Sequence, residues 1–130
     1  MTTIRTVDET TAGGRTEGPV LELEGTDFTV RDLISLRVRE EVRRYNNRPT
    51  GRYYGLVQPT DLETMLNGPT EGKVRQIDAD AQVATALQAF KKQQVLVLLP
   101  DRQAMDLDEP VALSDGDEVG FLRLVPLVGG

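Results

Sequence analysis

The sequence contains no cysteine, no histidine and no tryptophan among its 130 residues. Without cysteine the chain can form no disulfide and offers no thiol nucleophile, which fits the cytoplasm, where we expect the protein to reside. Without histidine it lacks the commonest general base and the commonest metal ligand. These absences argue against an enzyme, and we expect neither a metal site nor a bound cofactor.

Positive charge is also in short supply, since 21 acidic residues outnumber 15 basic ones and give a formal net charge of −6. This balance argues against a nucleic-acid-binding protein and favours a protein partner with a basic face. No apolar run approaches the roughly 20 residues of a membrane-spanning helix, and the N-terminus lacks the apolar core of a signal peptide. The length suits one domain.

The N-terminal part of the chain changes character at Pro19. Residues 1–18 are rich in threonine, glycine and glutamate without strand or helix periodicity, and they predict a disordered tail. The following "VLELEG" alternates apolar and acidic residues, which predicts a half-buried strand. Phe28 to Val30 then predict a short returning strand or the approach to a helix.

A helical period follows from Thr29 to Asn47. Thr29 and Asp32, three positions apart, predict an N-terminal cap with aspartate in place of the usual glutamate. The apolar positions recur on one helical face: Ile34, Val38, Val42 and Tyr45. Several arginines of this region could dock an acidic partner, but Glu40 and Glu41 lie at helical pairing distance, so we favour a solvated face with weak ion pairs. The arginines are Arg37, Arg39, Arg43, Arg44, Arg48 and Arg52.

The second half predicts another helix and three strands. Residues 47–77 look like an insertion that contains a short helix from Thr60 to Gly68. Asp78 is expected to cap a helix, and "VLVLL" from Val95 predicts a buried strand. The chain after it resembles a hairpin return with a kink at Pro110. A tight turn at Gly116 then leads into a last strand over residues 119–125.

With few strands around one main helix, the economical solution is an α+β fold in which a mixed sheet wraps the helix. This is the β-grasp arrangement. We expect the domain to span residues 19–126 with the insertion at about 47–77, followed by a flexible tail over residues 127–130. Acidic residues from Asp106 to Glu118 lack the spacing of a calcium loop and predict turns rather than a metal site.

The ending "LSDGDEVGFLRLVPLVGG" resembles that of the ubiquitin-like sulfur carriers and modifiers, in particular the small subunit of molybdopterin synthase and the thiamine sulfur carrier. Its "FLRLVPLVGG" is also similar to the end of ubiquitin, and "TVRDL" from Thr29 looks like the start of the carriers' main helix. The positions that match the carrier ending are Leu113, Asp115, Gly116, Asp117, Glu118, Val119, Phe121, Pro126, Gly129 and Gly130.

The resemblance implies a protein that is a co-substrate and not an enzyme. An ATP-dependent activating enzyme would adenylate the Gly130 carboxylate, and Gly129 and Gly130 would form the conjugation site because they carry no Cβ to obstruct a narrow channel. Extended residues upstream would contact the partner. The expected contact residues are Phe121, Arg123, Leu124, Pro126, Leu127 and Val128.

Three functions remain open from the sequence. The chain is a modifier joined through Gly130 to a target amine, a sulfur carrier with a terminal thiocarboxylate for cofactor or amino-acid biosynthesis, or a β-grasp adaptor that binds without a covalent bond. The longer insertion, the N-terminal tail and the ubiquitin-like "LRL" favour the modifier. Its further partners would be a conjugating enzyme and a deconjugating peptidase, whereas a carrier would serve a sulfur-accepting synthase subunit. No nucleic acid or membrane partner is expected.

Overall fold

The computed structural model describes residues 1–25, 27–47, 55–57 and 77–124. Within these ranges the chain forms strands and helices in the following order: β1 (Thr2–Thr10), β2 (Arg15–Glu17), β3 (Leu21–Leu23), β4 (Phe28–Thr29), α1 (Val30–Asn47), α2 (Ala79–Lys91), β5 (Val95–Leu98), β6 (Pro110–Val111) and β7 (Glu118–Arg123).

The main sheet has the order β2-β1-β7-β5, and β3 also pairs with β1. The central strands β1 and β7 are parallel, whereas the other pairs are antiparallel. One apolar core joins the sheet to both helices. The fold is therefore α+β, with a mixed sheet packed on a helix in a β-grasp arrangement, as the sequence predicted.

The predicted disordered tail over residues 1–18 is wrong, because β1 and β2 lie within it. Ile4 and Thr6 are buried, and β1 is the strand on which β2, β3 and β7 all pair. Threonine is β-branched and favours strands, so a threonine-rich segment can form a strand without the aliphatic alternation that marks most strands.

The strand that returns from the β1 turn is divided by a bulge. Val7 pairs with Glu17 and Ile4 pairs with Leu21. Between these two pairs β1 advances by three residues, whereas the returning strand advances by four. The returning strand therefore contains one extra residue between β2 and β3. The Gly18 N–H donates to the Thr6 carbonyl at 2.9 Å, and the Thr6 hydroxyl donates to the carbonyl of Pro19 at 2.6 Å.

Both helices begin as predicted. The Asp32 carboxylate accepts from the Thr29 N–H at 2.9 Å, and the Thr29 hydroxyl oxygen accepts from the Asp32 N–H at 3.3 Å, which is a reciprocal cap. The Asp78 carboxylate caps α2 by accepting from the N–H groups of Asp80 and Ala81. The buried side of α1 carries the predicted Ile34, Val38 and Val42, and also Val30 and Leu33.

The predicted hairpin return after β5 forms only at its start. Beyond β5 only the single bridge between Leu98 and Gln103 forms, and β6 pairs with β4 in a separate two-stranded sheet. The reason lies at the start of α1, where the N–H groups of Val30 and Arg31 donate to the carbonyls of Glu109 and Leu107. The segment before β6 thus accepts hydrogen bonds from N–H groups in the first turn of α1, which have no acceptor within the helix.

Most of the predicted insertion, including the expected helix from Thr60 to Gly68, lies outside the described residues. The described part holds Leu56, which is buried and donates its N–H to the Glu41 carboxylate at 3.1 Å. The carbonyl of Val57 accepts from the side-chain amide of Gln82 on α2 at 3.0 Å. Residues 55–57 are therefore bound to both helices.

The sequence predicted that Arg37 lies on a solvated face. This prediction is wrong, because Arg37 is only 1% exposed. Its guanidinium donates through Nη1 and Nη2 to the two carboxylate oxygens of Asp8 on β1. Its Nε also lies 3.2 Å from Oε1 of Glu41, and the group stands 4.7 Å above the centre of the Phe121 ring on β7. We call Asp8, Arg37 and Glu41 the buried ion cluster.

Replacement of Arg37 by methionine is expected to lower the free energy of unfolding by about 3–5 kcal/mol, because two largely buried carboxylates lose their counter-ion. Urea denaturation of the purified variant measures the change. The matched control is the triple variant Arg37→Met, Asp8→Asn, Glu41→Gln, which should recover part of the loss. If Arg37→Met alone is as stable as the wild type, the buried ion cluster contributes nothing to the free energy of unfolding.

Adjacent glutamates of α1 have opposite pKa shifts. Burial raises the pKa of Glu41 above its ordinary 4.5, although Arg37 acts against it. The hydrogen bond from Arg43 lowers the pKa of Glu40 below the same value. Folded Glu41 therefore holds its proton more tightly than the unfolded chain does, and folded Glu40 holds its proton less tightly.

The stabilities of E41Q and E40Q relative to the wild type should therefore change with pH in opposite directions. The stabilising contribution of Glu41 is complete below pH 4.5 and is lost as pH rises through its higher folded-state pKa. The contribution of Glu40 is present above pH 4.5 and is lost as pH falls through its lower folded-state pKa. Urea denaturation at several pH values measures both, and parallel curves would contradict the assignment.

Candidate functional site

The strand β7 leads to the predicted site, and a tight turn fixes where it begins. Gly116 has φ +87°, which suits glycine, and donates its N–H to the Thr3 carbonyl at 2.7 Å. The Asp115 carboxylate accepts from the Thr3 N–H at 2.8 Å, and that of Asp117 accepts from the Ser114 N–H at 2.8 Å. The "SDGDE" motif therefore attaches the start of β7 to β1.

The other end of β7 is held from both sides. The Thr11 N–H donates to the carbonyl of Arg123 at 3.2 Å, and the Leu124 N–H donates to the carbonyl of Gln94 at 3.0 Å. The main chain is thus anchored in the middle of the sheet up to Leu124. The chain that follows starts from a fixed position on the domain.

The predicted conjugation residues Gly129 and Gly130 lie outside the described residues, as do the predicted contact residues Pro126, Leu127 and Val128. Arg123 and Leu124 are described and are exposed, Leu124 to 40%. They are therefore open to a partner.

Phe121 is the one described contact residue that the structure contradicts. It is 0% exposed, and its ring lies in the core beneath Arg37. Side chains of a strand alternate between its two faces, and Phe121 falls with Val119 on the face that meets the helices. It supports the position of β7 and cannot contact a partner.

The opposite face of the sheet bears apolar side chains that the sequence did not single out. Leu96 pairs with Leu122, and Leu98 pairs with Gly120, so these side chains share one face. Val7 pairs with Gly120 from the other side. The three leucines lie outside the main core and are partly exposed, whereas Val7 is buried beneath them at 5% exposure. We call Val7, Leu96, Leu98 and Leu122 the outer apolar face.

The outer apolar face has a specific shape at Gly120. A Cβ on Gly120 would lie 3.3 Å from the Cβ of Leu98, so glycine lets the Leu98 side chain lie close over β7. The sequence signal for this face was weak, because "VLVLL" reads as one continuous apolar run and does not show which side chains face the core.

The described residues offer no metal centre, since no group of three or more acidic side chains among them is arranged to hold an ion. Neither described helix is long and apolar enough to cross a membrane. The comparisons with protein-family models, with curated proteins and with solved structures gave no match.

Phe121 and Leu122 should differ sharply when each is replaced by alanine. Phe121→Ala is expected to lower the free energy of unfolding by about 3–5 kcal/mol, because it removes a fully buried ring. Leu122→Ala should cost about 1 kcal/mol or less, because its side chain is on the open face. Urea denaturation compares the two, and equal losses would mean that the outer apolar face is covered.

Proposed function

We propose that this chain is a ubiquitin-like protein modifier, activated at the Gly130 carboxylate by an ATP-dependent adenylating enzyme and then joined to a target amine. The observation that carries the proposal is the path of β7. The strand is central in a β-grasp sheet and is anchored on both sides up to Leu124, six residues before Gly130 in the sequence. The carrier-like "SDGDE" turn fixes its other end.

The proposed reaction uses the carboxylate of this chain and the catalytic groups of its partners. A Gly130 carboxylate oxygen attacks the α-phosphorus of ATP, which releases pyrophosphate and forms an acyl adenylate. A partner thiol then attacks the carbonyl carbon and displaces AMP. Finally a target amine attacks the thioester, forming an isopeptide bond and freeing the thiol. The chain contains no cysteine, so the thiol belongs to the partner.

The outer apolar face supplies a docking surface for the activating enzyme. Its partly exposed leucines lie on β5 and β7, next to the exposed Leu124. An enzyme that covers this face would hold the domain while the tail enters its nucleotide site, so that binding energy from the domain orients the reacting carboxylate.

A sulfur carrier is the second candidate, because the "SDGDE" turn matches the carriers and is fully formed here. In that case sulfide sulfur from a donor attacks the acyl adenylate, displaces AMP and leaves a thiocarboxylate on Gly130. The non-covalent adaptor is the third candidate and predicts no change in covalent structure.

One experiment separates the three functions. The enzyme is first identified by affinity capture with a synthetic form of the chain whose Gly130 carboxyl is joined to a non-hydrolysable adenylate mimic, which traps any adenylating partner at its nucleotide site whether or not it has a reactive thiol. The purified enzyme is then incubated with the chain, ATP, magnesium and sulfide, and intact masses are measured. Adducts on amine-bearing proteins indicate a modifier, and a gain equal to the sulfur–oxygen mass difference indicates a carrier.

The control for this experiment is the chain without Gly129 and Gly130. It should show the same unfolding transition as the full chain and should form no adenylate, because the reacting carboxylate is displaced from the nucleotide. Chain-dependent exchange of labelled pyrophosphate into ATP measures the adenylation. If the mimic traps no enzyme, or the shortened chain supports equal exchange, activation at Gly130 is excluded.

A further inference from the structure

Met105 is a large apolar side chain that the domain leaves uncovered. It is 76% exposed, and among the described residues only Met1 has a comparable exposure. Met1 is the first residue, whereas Met105 lies between the buried Ala104 and Leu107 in the segment that links β5 to β6. Met105 lines the same surface cavity as the partly exposed Leu96, so it extends an apolar patch, and such patches mark sites of interaction.

The loop around Met105 is held in a single conformation by polar contacts. The Glu109 carboxylate accepts from the N–H groups of Met105 and Asp106 through Oε1, and from the Arg102 guanidinium through Oε2. The Asp106 carboxylate accepts from the Asp108 N–H at 2.9 Å. The backbone hydrogen bonds to Glu109 lower the pKa of its carboxyl, so the arrangement persists at neutral pH. The backbone that carries Met105 is therefore preorganised.

The turn after β5 brings Met105 close to the outer apolar face. Gln103 bridges to Leu98, and the Ala104 N–H donates to the Val97 carbonyl at 2.8 Å. The strand pairing ends there, but Met105 and Leu96 line the same surface cavity. Since Leu96 pairs with Leu122, Met105, Leu96 and Leu122 form one apolar row at this edge of the sheet.

The charges beside Met105 indicate the chemistry of its partner. Asp106 is exposed, and the side chain of Asp108 is 75% exposed. Arg31 pairs with Asp108 at 3.2 Å, but no cation among the described residues forms an ion pair with Asp106. An apolar pocket with basic residues at its rim would cover Met105 and complement these carboxylates.

We propose that Met105 is the anchor by which this chain docks into an apolar, basic-rimmed pocket of its adenylating enzyme. The inference rests on the proposed function for the identity of the partner. Met105 would act on binding alone, because it lies on the loop between β5 and β6 and belongs to no part of the tail. Its loss should therefore leave the chemical step unchanged.

The Met105→Ser variant is expected to raise KM for the chain in pyrophosphate exchange about tenfold or more, with kcat unchanged. The matched control is Val20→Ser, since Val20 is also exposed, to 48%, but lies beside β3, away from this row. Glu109→Gln keeps Met105 and weakens the contacts that hold its loop, so KM should rise by a smaller factor. Added salt should raise KM for the wild type.

Site-specific photocrosslinking tests the same contact without kinetics. A diazirine residue is placed at position 105 in one chain and at position 20 in another, and each is irradiated in a lysate. Crosslinking at position 105, but not at 20, to the protein that the Gly130 mimic traps supports the inference. Crosslinks only to other proteins, or none, overturn it.

The two proposals fail in different ways. If the mimic traps an enzyme but Met105→Ser leaves KM unchanged, the anchor is wrong and activation at Gly130 stands. If the mimic traps nothing, the proposed function is excluded, and the anchor on an adenylating enzyme is excluded with it.

Discussion

The buried ion cluster is the interaction on which the rest of the fold depends. Arg37 on α1 binds Asp8 on β1 and Glu41 on α1, and it lies on the ring of Phe121 on β7. Glu41 in turn accepts from Leu56. A buried charge is costly unless it is paired, so these elements must occupy their positions together. The cluster therefore favours one arrangement of the helix on the two central strands.

The bulge between β2 and β3 lies beside the cluster. A Cβ on Gly18 would lie 2.5 Å from the Thr6 hydroxyl oxygen and 3.4 Å from Nη1 of Arg37. Glycine therefore leaves room for the Thr6 hydroxyl, which donates to the Pro19 carbonyl in the bulge. The extra residue and the proline that follows also interrupt the free edge of the sheet, which limits its pairing with other chains.

The sequence predicted correctly those features that depend only on residues close together in the chain. The caps at Thr29 and Asp78, the α1 apolar face and the Gly116 turn were all confirmed, because each follows from residues a few positions apart. The strand β1 was missed because threonines replace aliphatic residues in it. Arg37 looked like a surface residue because a glutamate four positions away suggested an exposed pair.

The candidate site depends on which face of a strand a residue occupies, and sequence alone does not give this. Phe121 and Leu122 are adjacent and both apolar, yet one supports Arg37 and the other faces outward. Met105 was not recognised either, because the sequence does not show that this residue is exposed after β5 and lies beside Leu96. Such pairings follow from tertiary structure rather than from periodicity.

The two faces of the sheet differ in what they contact. The inner face fixes β7 through Phe121 and the ion cluster, and the outer face leaves Leu122 of the same strand partly exposed. A partner that binds the outer face would therefore be held at a constant distance from Leu124, the last described residue after β7. In the function that we propose, a domain without histidine or cysteine takes part in acyl-transfer chemistry by supplying only a carboxylate, and the core contributes by fixing the strand that precedes it.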